Sequence, residues 1–234
     1  SGKGGGAPEA SDVHKTLQAA GEQGPYVLVG HSLGGPYVMA FTQEFSSEVA
    51  GIVFVDASHP DQQLRIKQAI GKSMEEPMTA PKVLAAAAWT GLPRLVTRSL
   101  GNAKAPARAN AAMVAYLPSS LRPMLDEFAA IDETFREAGA LRSLGDRPLV
   151  VLTAAAPIAA ADLATVGLTP EQGQQMQAVW FELHRDETSW STRGREIRLD
   201  DAHHYIQFER PDAVIDAVRE VVTDLRAVSP HGNE

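Results

Sequence analysis

Three short, continuously apolar segments constrain the fold of this chain more than any other feature of the sequence. They are YVLVG (26–30), GIVFVDAS (51–58) and PLVVLTA (148–154), and helical spacing of apolar residues follows or precedes each of them. Unbroken apolar strands are typical of a parallel sheet that helices cover on both faces. A weaker strand is predicted over REIRL, at 195–199. The pattern predicts an α/β fold with a mostly parallel sheet.

Helices are predicted between and after these strands. The first runs from Pro8 to Ala20, and another spans YVMAFTQEF (37–45) directly after the first strand. A third is predicted around 171–187. The last begins near Pro211, which suits a first helical turn, and its valines then recur at helical spacing.

The segment from 61 to 145 has a different pattern, which is rich in alanine and leucine and lacks a convincing strand. We interpret it as a helical cap inserted over one end of the sheet, so that residues 1–60 and 146–234 form the core domain. Its helices are expected to break at Pro77, Pro81, Pro93, Pro106, Pro118 and Pro123. Its candidates for lining an apolar pocket are Met74, Met78, Leu84, Trp89, Leu92, Met113, Tyr116, Leu117 and Met124.

Composition narrows the classes of partner. The 234 residues carry 21 basic and 29 acidic side chains, a net charge of -8, which repels nucleic-acid phosphates. No apolar run approaches the roughly 20 residues that span a bilayer. The chain has no cysteine, so it can form neither a disulfide nor a thiolate metal site. We therefore expect no nucleic acid, membrane span, metal or cofactor, and the compartment stays open.

A reactive serine is predicted at the end of the first strand. Gly30-His31-Ser32-Leu33-Gly34 is a GxSxG sequence between a strand and a helix, where a strained turn exposes the serine hydroxyl. Side chains at the flanking glycines are expected to collide with the neighbouring strand and helix. The backbone N–H of Leu33 is expected to stabilise an oxyanion. A turn that binds phosphate is the alternative, but neither GxxxxGK[ST] nor GxGxxG is present.

The sequence resembles the α/β-hydrolase family from about residue 1 to residue 228. The resemblance is carried by GPYVLVGHSLGG (24–35), VAGIVFVDASHPDQ (49–62), DRPLVVLTA (146–154) and HHYIQFERPDAVIDAVREVV (203–222). It implies an eight-stranded sheet with the nucleophile after the fifth strand, a helical cap after the sixth and a catalytic histidine after the last. Only 31 residues precede Ser32, so the first strands of the family are expected to lie upstream of this chain.

The resemblance implies that the general base lies in the loop before the last helix, which contains His203 and His204. The family pattern of histidine, aromatic and aliphatic residues fits His204-Tyr205-Ile206, so His204 is favoured and His203 is the alternative. His31 is expected to point away along its turn. A metal site in this loop is disfavoured, because its four potential ligands crowd into five residues.

The acid that orients the base departs from the commonest family pattern, which places an aspartate just after PLVVLTA. Here alanines and Pro157 follow, with no carboxylate before Asp162. The strand GIVFVDA instead ends in Asp56, at the sheet edge where catalytic groups gather in open α/β folds. Some family members take their acid from that strand. Asp56 is therefore favoured, Asp162 is the alternative, and Glu127 and Asp186 are the remaining candidates.

These residues predict a serine hydrolase that cleaves a small carboxylic ester with a modest hydrophobic group. The resemblance also implies a second oxyanion amide from an early loop marked by a His-Gly pair, and no such pair precedes Ser32. An aspartate nucleophile would indicate dehalogenase or epoxide hydrolase chemistry, which Ser32 disfavours. An acyltransferase or another serine-triad enzyme, and a binding protein without turnover, remain alternatives on the same fold.

Overall fold

The computed structural model describes residues 5–73, 79–86 and 105–228. The chain divides into two compact units, of which the larger consists of Gly6–Met74 and Glu133–Glu234. The smaller consists of Ser1–Gly5 and Glu75–Asp132. No helix within the described ranges combines the length and the apolar character that a membrane crossing requires. The predicted limits of the cap, 61 and 145, stay a prediction.

A parallel sheet forms the centre of the larger unit. Its strands in the described residues are β1 (Tyr26–His31), β2 (Val49–Val55), β3 (Leu149–Ala154) and β4 (Gly194–Leu199). They lie in the order β1-β2-β3-β4, and every neighbouring pair is parallel. Because all the strands run the same way, their carboxyl ends meet at one edge, where His31 is opposite Val55 and Val55 is opposite Leu152. The predicted mostly parallel α/β fold is confirmed.

Helices cover both faces of this sheet. In chain order the described helices are α1 (Gly6–Ala19), α2 (Gly34–Glu44), α3 (Gln62–Ile70), α4 (Thr79–Ala86), α5 (Ala107–Ala129), α6 (Ile131–Ala138), α7 (Ala160–Thr165), α8 (Pro170–Ser189), α9 (Ile206–Glu209) and α10 (Pro211–Val228). Ile52 and Phe54 of β2 are buried in a cluster with residues of α1 and α2. Val53 and Val55 point to the opposite face, in a cluster with residues of α10. The alternation explains why β2 is apolar throughout.

Helix α8 contacts β3, β4 and α3. Its N-terminus is defined by a capping box, in which the Thr169 side chain accepts from the Gln172 backbone and the Gln172 side chain accepts from the Thr169 backbone. Pro170 occupies the first helical turn. The helix therefore starts at a well-defined residue, which sets the position of the side chains on its inner face.

The smaller unit contains α4 and α5, which pack together. The expectation that prolines break the helices is wrong for Pro118 and Pro123, because both lie inside the continuous helix α5. A proline keeps the φ angle of a helix and removes one backbone hydrogen bond, so a long helix can tolerate it at a cost. Of the predicted pocket residues, Met74, Met78, Trp89 and Leu92 lie outside the described residues.

Candidate active site

Ser32 lies on a tight turn between β1 and α2 and has φ +54°, which is rare for a residue with a side chain. The neighbouring glycines permit this turn. A Cβ at Gly30 would lie 2.7 Å from the Gly34 carbonyl oxygen, and a Cβ at Gly35 would lie 2.6 Å from the Ala57 Cβ. The expected collision at Gly34 is wrong, because no atom outside its chain neighbours and its own helix backbone lies within 4 Å of a Cβ there.

The Leu33 amide lies at the start of α2. Leu33 is the N-cap residue of this helix, with φ -59° and ψ -18°. The first amides of a helix are not used in its own hydrogen bonds, and the helix dipole adds positive potential there. The Leu33 N–H is therefore suited to binding a developing negative charge beside Ser32. Its role as an oxyanion donor stays a prediction.

The loop between β4 and α9 brings an imidazole to this hydroxyl. The Nε2 atom of His204 lies 3.0 Å from the Ser32 Oγ, although 172 residues separate the two in the chain. His203 is directed elsewhere, since its Nδ1 lies 3.0 Å from an oxygen of Glu209. Of the two histidines predicted as a base, His204 is the one that the fold brings to Ser32.

Asp56 completes the hydrogen-bonded chain on the other side of the imidazole. The His204 Nδ1 lies 2.7 Å from the Asp56 Oδ2. The other oxygen, Oδ1, accepts from the Ala154 backbone N–H at 3.0 Å and from the Trp180 indole N–H at 2.9 Å. Burial alone would raise the pKa of Asp56, but the hydrogen bonds from His204 and Trp180 and the proximity of His184 together lower it below its ordinary value. The carboxyl group is therefore ionised at neutral pH.

The alternative acids lie in other environments. Asp162 is exposed in the first turn of α7, where its carbonyl accepts from the Thr165 hydroxyl. The Asp186 carboxylate pairs with His59 and with the Trp190 indole. Glu127 lies on α5. Among these candidates, Asp56 is the one that contacts His204.

The turns that carry Ser32 and Asp56 are bonded to each other. Asp56 also has a positive φ, +44°, so both side chains leave the backbone at unusual turns directly after a strand. The Ser58 N–H donates to the Ser32 carbonyl at 2.9 Å, and the Asp56 N–H donates to the Leu152 carbonyl at 2.8 Å. A shift of either turn would therefore disturb the other, so these hydrogen bonds help to keep the distance between the Ser32 and Asp56 side chains constant.

His31 does not point away from the site, and that expectation is wrong. Its Nε2 donates to the His204 carbonyl oxygen at 2.8 Å, and the centroids of the two rings lie 4.7 Å apart. Burial lowers the pKa of His31, outweighing the opposite effect of this hydrogen bond. The contact arises because the β4–α9 loop crosses the end of β1, an arrangement that a GxSxG match does not contain.

Sequence reasoning also missed two residues of α8. Besides Trp180, this helix contributes His184, which is completely buried, with Nε2 3.1 Å from the Ala57 carbonyl oxygen and Nδ1 2.9 Å from the Thr153 hydroxyl. Burial lowers the pKa of His184. The spacing of Trp180 and His184 places them on one helix face. The sequence shows this spacing, but it does not show that the helix face packs against Asp56 and the ends of β2 and β3.

The arrangement has a definite chemical capacity. An imidazole between a hydroxyl and an ionised carboxylate can take the hydroxyl proton, since the carboxylate holds the ring in the required tautomer and stabilises the imidazolium.

Within the described residues, no group of three or more histidine, aspartate or glutamate side chains is arranged to hold a metal ion.

Comparisons with known proteins agree with this fold. Residues 3–217 match the model of the alpha/beta hydrolase family. The solved structure of a thermophilic esterase from Thermogutta terrifontis is 18% identical, with a TM-score of 0.51 over 96% of this chain and 74% of the esterase. A mutant of a Pseudomonas aeruginosa protein, named as a candidate epoxide hydrolase, is 18% identical, with a TM-score of 0.62 over 97% of this chain and 74% of that protein.

A curated relative matches over a short stretch. It is an uncharacterized protein from Schizosaccharomyces pombe, 54% identical over 43 residues, which make up 18% of this chain and 8% of the relative. The two solved structures show that the chain shares their fold. Because the family model covers nearly all of its length, the chain belongs to the α/β-hydrolase family.

Proposed function

We propose that this protein is a serine hydrolase that cleaves a small carboxylic ester through an acyl-enzyme. The observation that carries the proposal is the continuous hydrogen-bonded chain from the Ser32 hydroxyl through His204 to the buried Asp56 carboxylate, with contacts of 3.0 and 2.7 Å. Three side chains far apart in sequence meet in the order that acyl transfer requires.

The proposed reaction begins with the Ser32 hydroxyl. His204 Nε2 takes its proton while Oγ forms a bond to the ester carbonyl carbon, and the carbonyl oxygen becomes an oxyanion beside the Leu33 N–H. When the carbon–oxygen bond to the alcohol breaks, the imidazolium returns its proton to the leaving alcohol. Water then attacks the acyl-enzyme with His204 again as base, which releases the acid and regenerates Ser32.

Two features favour ester chemistry of this kind. A serine occupies the nucleophile position, so the aspartate that the family resemblance associates with epoxide opening is absent from it. Asp56 is ionised and buried, as an acid that orients an imidazole must be. The preference for a modest hydrophobic group rests only on the apolar composition of the sequence from 61 to 145.

The experiment compares the wild-type chain with Ser32→Ala, using a p-nitrophenyl ester of a short acid and a fluorophosphonate label. Ser32→Ala should lose labelling and lower kcat by roughly 10⁴-fold or more, since triad members act as a unit. Ser189→Ala is the matched control, because its exposed hydroxyl only bonds a carbonyl of its own helix. Labelling of Ser32→Ala at the wild-type rate would reject the proposal.

The same assay separates the alternatives. A burst of p-nitrophenol followed by steady release of the acid supports hydrolysis. Transfer of the acyl group to an added alcohol in preference to water would instead identify an acyltransferase. Binding of the ester without labelling or release would identify a binding protein.

A further inference from the structure

The second oxygen of the Asp56 carboxylate is held from outside the Ser32–His204–Asp56 chain. Its Oδ1 accepts from two donors, the Ala154 backbone N–H at 3.0 Å and the Trp180 indole N–H at 2.9 Å. Oδ2 is the oxygen that faces the His204 Nδ1. The two oxygens of one carboxylate thus have separate partners, and the donors of Oδ1 come from the end of β3 and from α8.

This division of partners matters because the terminal torsion of an aspartate is soft. Rotation about the bond between Cβ and the carboxyl carbon has broad minima, so nothing within the side chain itself keeps Oδ2 directed at the imidazole. The unusual backbone of Asp56, with φ +44°, sets the direction of its Cβ but leaves this rotation free. Two donors on Oδ1 oppose the rotation, since turning the carboxylate would lengthen both bonds.

Hydrogen bonds on both sides of Trp180 fix the position of helix α8. One turn before Trp180, the Gln177 side chain donates to the Ala156 carbonyl at 3.1 Å. One turn after it, the His184 ring bonds to the Ala57 carbonyl and to the Thr153 hydroxyl. These side chains lie on one helix face and contact the loops after β2 and β3. The helix is therefore anchored on both sides of Trp180 to the loops that surround Asp56.

We infer that Trp180 is a positioning residue for the catalytic acid, whose indole N–H holds Asp56 Oδ1 so that Oδ2 faces His204. The inference rests on the proposed function, because it assigns Trp180 a part in the same triad. The donated hydrogen bond also stabilises the ionised carboxylate, so its loss should raise the pKa of Asp56.

The test removes this donor and keeps an aromatic side chain at the position. Trp180→Phe should lower kcat for the p-nitrophenyl ester by roughly 10- to 100-fold with little change in KM, as expected for one hydrogen bond to a charged group. The acid limb of its pH–rate profile should move to higher pH, because Asp56 is then protonated more easily. Replacing Trp180 with 3-benzothienylalanine, which keeps the bicyclic shape but has sulfur in place of N–H, should reproduce both effects.

Trp190→Phe provides a matched control. The Trp190 indole also donates to a carboxylate, the Asp186 Oδ2 at 3.1 Å, and this carboxylate pairs with His59. The control should keep the kcat and the pH profile of the wild type. Far-UV circular dichroism and thermal melting of each variant identify a loss of fold, which the benzothienyl variant should avoid.

The outcomes separate the two proposals. If the wild type has no turnover that depends on Ser32, the proposed function fails, and the role of Trp180 fails with it. If Ser32 is required but the benzothienyl variant keeps the wild-type kcat and acid limb, the triad stands and the positioning role is overturned. A lower kcat in Trp180→Phe with full activity in the benzothienyl variant would assign the effect to ring packing, which also overturns it.

Discussion

Glu187 of α8 is the buried group whose replacement offers the clearest test of the energetics. Its side chain has no exposed surface, and neither Oε1 nor Oε2 has a hydrogen-bond partner among the described residues. Burial raises the pKa of Glu187 well above its ordinary value. The negative charges of Asp56 and Asp186 raise it further, and the positive charge of Arg142 has a smaller, opposite effect. The group is therefore buried in its neutral form, with a donor and an acceptor both unpaired.

The expected gain in the free energy of unfolding follows from the two unpaired oxygen atoms of Glu187. An unsatisfied buried polar group costs roughly 1–3 kcal/mol. Glu187→Met replaces the carboxyl with an unbranched apolar group of similar length, and imperfect packing should offset part of the gain. We expect a net stabilisation of roughly 1–3 kcal/mol at pH 7. For a chain of this size, each kcal/mol raises Tm by roughly 2–4 °C.

The pH dependence has a definite sign. Because the pKa of Glu187 is raised in the folded state, the native chain holds a proton that the unfolded chain releases above its own pKa of about 4.3. The contribution of this group to the free energy of unfolding is therefore fully present below that pH, and it is lost as the pH rises toward the folded-state pKa. Glu187→Met does not titrate there, so its advantage over the wild type should grow with pH.

Urea unfolding followed by circular dichroism between about pH 4 and pH 9 measures both effects, provided that the m-value is unchanged. Glu182→Met is the matched control on the same helix, since Glu182 is exposed and pairs with Arg65. Losing such a surface pair should cost no more than about 1 kcal/mol. A Glu187→Met variant that is less stable than the wild type at pH 7, or whose advantage does not change with pH, would refute the reasoning.

Two predictions concern the proposed triad. His204→Ala should lower kcat for the p-nitrophenyl ester by roughly 10⁴-fold or more, because its ring contacts Ser32. His203→Ala should lose far less activity, because the His203 ring pairs with Glu209. The reverse order in steady-state kinetics would assign the base to His203. Asp56→Asn should lower kcat by roughly 10⁴-fold with little change in KM, because the imidazole loses its orientation. Asp162→Asn, in an exposed helical turn, should stay near full activity, and a collapse of this variant alone would assign the acid to Asp162.

The parts of the fold that the sequence predicted well depend on local patterns. The apolar runs overlap β1, β2 and β3, and the predicted strand at 195–199 differs from β4 by one residue. The GxSxG motif predicted the strand, turn and helix around Ser32, because the close approach of the chain at Gly30 is a local requirement for glycine. The prolines of α5 were misjudged, because a local rule gives the cost of a proline in a helix but not whether the surrounding helix tolerates it.

The residues around the triad were harder to predict, because each acts through a contact distant in the chain. Asp56 and His204 are 148 residues apart, and Asp56 and Trp180 are 124 residues apart. No spacing rule connects such pairs. They meet because parallel pairing brings the ends of β1, β2, β3 and β4 to one edge, and because α8 packs against β3 and β4.

The amino-acid sequence alone was enough to identify an α/β chain, a serine on a turn between glycines, and a short set of histidines and carboxylates that could act with it. Periodicity and turn chemistry specify these features within a few residues of one another, so they can be recognised without the fold. Which of these residues meet depends on the packing of the folded chain. The loop after β4 brings His204 to Ser32 and to His31, and the packing of α8 gives Asp56 its second donor in Trp180. Such contacts are properties of the packed arrangement, because a hydrogen bond forms only when both partners are carried to within about 3 Å.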